Sequence, residues 1–141
     1  MNIPKLCEKA VFDYYNSGKY TICTRFIDSA DLNRESYKRG AKFTATGISQ
    51  PSDLVITIRG RTFYAEVKST SNPRGITQSL IKQQAGSRKR ILMAGGDYTY
   101  FIYRVPTKTW YMIDGDILDE NEGTFTWDRA EHYEIRFLRE I

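Results

Sequence analysis

The sequence predicts an α/β fold, a mixed central sheet of about five strands flanked by helices on both faces. Three observations carry this expectation. Ile3 to Tyr15 repeats apolar residues at helical spacing, and residues 51–70 alternate as two strands around Arg59-Gly60. Tyr98 to Val105 is apolar on both faces, as befits a strand in the middle of a sheet. In chain order the elements are helix, strand, hairpin, helix, strand and strand, spanning residues 3–113.

A chain of 141 residues is long enough to bury a real core, so residues 1–141 are expected to form one domain. Hydrophobic content of 40% and aromatic content of 13% fit a folded chain, not a disordered one. The net charge of +4, with a pI near 9.1, permits contact with a phosphate backbone without establishing it. Two cysteines, Cys7 and Cys23, and a single histidine exclude a zinc cluster and favour reduced thiols over a disulfide. No apolar run is long enough for a membrane span, and no signal-peptide core opens the chain. A soluble, cytoplasmic protein is the expectation.

In the first helix Ile3, Cys7, Ala10, Val11 and Tyr14 share one face, with Lys5, Lys9 and Asp13 opposite. Glu8 falls on the flank between Phe12 and Tyr15. There it is either a surface acid or a group directed into a cleft. Gly18 stops this helix, and Tyr20 to Ile27 alternates as a strand, with Thr21, Cys23 and Arg25 on one side. Residues 28–52 are polar and weakly periodic, with a short helix expected near Leu32–Lys38. Arg34, Lys38, Arg39 and Lys42, interleaved with Tyr37 and Phe43, suit a phosphate backbone and stacked bases.

The hairpin that follows organises the rest. A strand's period of two puts Glu66 and Lys68 on one face and Ala65 and Val67 on the other. With a turn of two or four residues, Ile58 pairs with Arg61, and Asp53 lies opposite Glu66. Two carboxylates so placed repel each other unless a hard cation such as Mg²⁺, or Mn²⁺ in its stead, sits between them. A three-residue turn ending in Gly60 sends Asp53 to the opposite face, so metal binding depends on the register.

Ser52-Asp53 followed by Glu66-Val67-Lys68 resembles the D…E-x-K element of the PD-(D/E)XK nuclease superfamily, with Ser52 where proline is usual and Pro51 one place earlier. The resemblance implies a restriction-endonuclease-like core. It implies that Asp53 and Glu66 hold the metal, that the Val67 carbonyl adds a ligand, and that Lys68 assists the attacking water or the scissile phosphate. It also implies a further acid from the N-terminal helix, for which Glu8 is the candidate and Asp13 the weaker option. A glutamine is expected on the helix after the E-x-K strand, close to the lysine. Gln84 fits by facing, with Gln83 as its neighbour. Size and element order are similar to the small homodimeric Holliday-junction resolvases, which implies DNA as partner and a dimer. A restriction-type or homing endonuclease, a nuclease acting on RNA, and a binding module without activity are the alternatives.

Thr77 or Ser79 is expected to cap the helix through Leu80, Ile81 and Gln84, and Gly86 to weaken or break it. Arg88, Lys89 and Arg90 then form the densest basic cluster, suited to phosphates. The acidic run from Asp114 to Glu122 reads as a solvated loop, without the spacing of a calcium loop. Residues Tyr133 to Phe137 suggest a last strand, and His132 has no nucleophile motif beside it.

Overall fold

The computed structural model describes residues 2–26 and 50–141. Arg34, Tyr37, Lys38, Arg39, Lys42 and Phe43, with the helix expected near Leu32–Lys38, lie outside the described residues. Helix α1 covers Ile3–Asn16, opened by the Asn2 side chain accepting the Lys5 N–H at 3.0 Å and by a proline in the first turn. It buries Cys7, Ala10, Val11 and Tyr15. Tyr15, not the expected Tyr14, points inward and packs edge-on against Phe63 and Phe101. Tyr14 is 42% exposed and stacks on Phe137 instead. The Asn16 side chain bonds both the N–H and the carbonyl of Cys23, tying the helix end to strand β1, Thr21–Arg25.

Strands β2, Leu54–Ile58, and β3, Arg61–Thr70, form the hairpin. Arg59 and Gly60 both have positive φ, 49° and 85°, as a two-residue hairpin turn requires. Ile58 therefore pairs with Arg61, and the three-residue register is not adopted. The chain continues through β4, Gly75–Ile76; α2, Gln78–Ile81; a 3₁₀ turn at Lys82–Gln84; and α3, Ala85–Met93. Then come β5, Tyr98–Arg104; β6, Thr109–Asp114; α4, Gly115–Glu120; and β7, Phe125–Thr126. Helix α5, Trp127–Ala130, a 3₁₀ turn and β8, Glu134–Ile135, complete the elements.

The main sheet has six strands in the order β1-β2-β3-β5-β6-β8, with β3 and β5 parallel and every other pair antiparallel. The mixed sheet and its helices on both faces match the expected class. The sixth strand is β8, shorter than the strand expected over Tyr133–Phe137 because a 3₁₀ turn takes up Tyr133. One face of the sheet carries α1 over Leu54, Ile56, Ala65, Val67 and Phe101, and the other packs Ile81, Leu118 and Trp127 over Tyr98, Tyr100 and Ile102. β5 is central and buried along nearly its whole length. Both cysteines are free and buried. Among the described residues no helix is long and apolar enough to cross a membrane.

Two local expectations are corrected. Gly86 does not break the helix but lies in the first turn of α3; the irregularity falls earlier, at Lys82–Gln84. The acidic run is not all loop. Its Gly115–Glu120 portion winds into α4, because Leu118 is a buried anchor and Asp119 pairs with Arg88.

Strands β4 and β7 make a separate two-stranded sheet, with Gly75 opposite Thr126. A Cβ at Gly75 would stand 2.1 Å from the Phe125 carbonyl oxygen, a backbone atom that cannot give way alone. Gly75→Ala is expected to cost about 2–3 kcal/mol of stability. Urea denaturation checks this, and a loss below about 0.5 kcal/mol would show that the small sheet separates without consequence.

Candidate active site

The site grows out of the hairpin register. Leu54 pairs with Ala65, so Asp53, one step beyond the end of β2, comes opposite Glu66. Two hydrogen bonds fix the pair: the Asp53 N–H donates to Glu66 Oε1 at 2.9 Å, and the Val67 N–H donates to Asp53 Oδ2 at 3.0 Å. The preceding residues are pinned as well. Ser52, almost wholly buried, donates its hydroxyl to the Leu54 carbonyl at 2.7 Å, and the Tyr98 hydroxyl donates to the Pro51 carbonyl at 2.7 Å. Asp53 is thus held from both sides, and Ser52 does the work of a rigid pre-strand residue.

Glu66 is 1% exposed, rare for a carboxyl. Its carboxyl is held far above the usual range, first by burial and then by the facing charge of Asp53, against which Lys68 pulls only weakly. Lys68 Nζ lies 3.9 Å from Glu66 Oε2, and its side chain keeps 21% of its surface open. Lys68 thereby lies between the buried Glu66 and solvent.

Glu8 approaches from α1. Arg25 holds it by a hydrogen bond of 2.7 Å while resting over the Phe12 ring, 4.8 Å from its centroid. Burial raises the Glu8 carboxyl, and the nearby charge of Asp53 raises it further, so the two acids share one electrostatic neighbourhood. Among the described residues, however, no three His, Cys, Asp or Glu side chains converge into one ligand cluster. The donors brought together are Asp53, Glu66 and the Val67 backbone, with Glu8 alongside. All are hard oxygen donors, the kind that suits a small divalent cation.

Gln84 sits at the end of the 3₁₀ turn between α2 and α3, partly buried, while Gln83 is exposed. Its Oε1 is buried and finds no hydrogen-bond partner among the described residues. Between the two glutamines, this distinguishes Gln84 as the one aimed inward with unused hydrogen-bonding capacity.

The basic cluster divides. Lys89 and Arg90 are exposed, as a phosphate-facing pair must be. Arg88 is 2% exposed, and its role as a phosphate ligand is corrected. Its Nε–H donates to Asp119 at 2.7 Å, and its other donors bond the Ile81 carbonyl and the Tyr100 hydroxyl. Sequence inspection misses Arg88 as an internal residue because α3 has scarcely any amphipathic pattern around it. It also misses Arg25 as the partner of Glu8 and Tyr98 as the residue that pins Pro51. The alternation that turns Arg25 to the side of Cys23 was the available signal for the first of these.

No family model matches the sequence, and no curated protein matches it. Among solved structures, the fold is shared with Hjc, a Holliday junction resolvase from the archaeal hyperthermophile Archaeoglobus fulgidus. The match has a TM-score of 0.57 and 11% identity, and covers 99% of this chain and 93% of that chain. At that identity the likeness is one of fold.

Proposed function

We propose that this chain is a Mg²⁺-dependent DNA endonuclease of resolvase type that hydrolyses phosphodiester bonds in branched DNA as a homodimer. The observation that supports it most is the opposed Asp53–Glu66 pair, with Glu66 buried and Lys68 beside it, on a fold shared with a Holliday junction resolvase. Asp53 and Glu66 would hold Mg²⁺, or Mn²⁺ in its place, with the Val67 carbonyl and Glu8 as further donors. When bound, the cation supplies Lewis-acid polarisation of a phosphate oxygen and eases deprotonation of the attacking water.

The chain's own groups do the rest. Lys68, partly open to solvent and 3.9 Å from Glu66, offers N–H donors to the negative charge that grows on the phosphate. The unpaired Oε1 of Gln84 is an acceptor suited to a Lys68 N–H, and its amide N–H groups are suited to a phosphate oxygen. One chain supplies one such site, so symmetric cutting of both strands calls for two chains.

A panel of duplex, four-way junction, flap and single-stranded DNA, each incubated with Mg²⁺ and with EDTA, tests this. Paired, symmetric nicks in a junction of scrambled arm sequence, lost in EDTA, are expected. Cutting at one fixed site in long linear duplex, with scrambled junctions left intact, would show sequence-specific cleavage instead. Full activity in EDTA would remove the metal from the mechanism.

A further inference from the structure

The ends of β3 and β5 lie side by side, with Lys68 opposite Ile102 and Thr70 opposite Arg104. Aligned neighbours point to the same face of a sheet, so Arg104 shares the face of Glu66 and Lys68. Strand geometry places its Cα roughly 8 Å from that of Lys68.

The guanidinium of Arg104 rests over the Trp127 ring, 4.6 Å from its centroid. Trp127 is a fixed platform: its indole N–H donates to the Asn72 carbonyl at 2.8 Å, and its backbone N–H to the Arg74 carbonyl at 3.3 Å. Arg74, Arg104, Thr126, Asp128 and Glu131 border a cavity of about 530 Å³ over this platform. Two carboxylates border the cavity, yet among the described residues Arg104 has no ion-pair partner. Its Nε–H is buried and finds no acceptor among the described residues. A buried donor left unpaired is costly and calls for a ligand or water. Among the described residues the terminal N–H groups of Arg104 make no hydrogen bond or ion pair, and such groups are suited to phosphate oxygens.

We propose that Arg104, presented on Trp127 with Arg74 beside it, binds a DNA phosphate next to the one being cut. This inference rests on the nuclease reading above. It extends the substrate track from Lys68 along the ends of the two parallel strands, toward the loop that carries Arg74. Asp128 and Glu131 are exposed and oppose an anion there, so neutralising one of them has a predictable sign.

Anisotropy with labelled four-way junction and duplex DNA in EDTA, across a salt series, separates binding from cutting. Arg104→Gln is expected to weaken binding about tenfold at low salt and to lower the salt slope by about one. Arg74→Gln, a change in an exposed loop that leaves folding intact, should weaken binding in the same direction, and Asp128→Asn should tighten it. If the wild-type protein binds DNA and both arginine variants match it in affinity and slope, the phosphate site is overturned while the nuclease reading stands. If the wild-type protein binds no DNA, both fall together.

Discussion

Glu66→Gln is expected to abolish cleavage, by roughly a thousandfold or more, while raising the melting temperature of the metal-free protein at neutral pH. The two effects have one cause. Glutamine keeps the carbonyl oxygen that accepts the Asp53 N–H, so the local fold is preserved. It removes the second carboxyl, which is buried opposite Asp53 and is needed there only when a cation lies between them. Sites that concentrate like charge for function commonly weaken the fold that carries them.

The pH dependence fixes the sign. Burial, then the charge of Asp53, raises the folded-state pKa of Glu66 above its unfolded value. The stability this group contributes is therefore fully present below the unfolded value, about pH 4.3, and is lost as pH rises through the folded one. In EDTA the wild-type protein should melt at falling temperatures as pH increases across that window, and Glu66→Gln should lack this component. The gap at pH 8 should be a few kcal/mol, or roughly 5–15 °C in melting temperature. Adding Mg²⁺ should recover the wild-type protein and leave the variant unmoved, since a ligand stabilises only the state that binds it. Melting scans across pH, with and without Mg²⁺, decide the matter. Equal melting temperatures in EDTA, or an equal Mg²⁺ response in both proteins, would count against a cation held by this pair.

What could be read from the chain follows from the range of the interactions involved. The opposition of Asp53 and Glu66 is a local consequence of a two-residue turn at Arg59-Gly60 and a period of two. Once the turn length is fixed, nothing distant can alter it. Helical spacing puts Glu8 on the flank of α1 beside Phe12, but its partner Arg25 comes from another element and is invisible to periodicity. Tyr14 and Tyr15 are adjacent on the helix, so a small rotation decides between them, and the packing of Phe63 and Phe101 settled it. The short α4 and the β4–β7 pair have too few residues to show a period at all, and they exist through tertiary contacts. Ser52 stands where proline is usual in the resembled motif. Its hydroxyl donates to the Leu54 carbonyl and so ties down the residue before Asp53.

Arg88 shows the same limit at its sharpest, and its removal is expected to be the most damaging single change to stability. Arg88, Lys89 and Arg90 are alike in sequence, yet only Arg88 faces the sheet. There it joins three elements: Asp119 of α4, the Ile81 carbonyl at the end of α2, and the Tyr100 hydroxyl of β5. Arg88→Ala leaves a carboxylate, a carbonyl and a hydroxyl poorly paired in the interior, and should cost about 3–5 kcal/mol. That is a large share of the 5–15 kcal/mol typical of a whole domain. Lys89→Ala and Arg90→Ala should each stay within about 0.5 kcal/mol. The pairing also sets the segment that carries Gln84, since Arg88 grips the chain at Ile81, three residues before it. Arg88→Met combined with Asp119→Leu removes both charges and should regain part of the loss, because a buried pair contributes less than its unpaired halves cost. Urea denaturation of the four variants measures this. A loss below about 1 kcal/mol in Arg88→Ala would mean that solvent reaches the network and that the cluster acts as one basic surface after all.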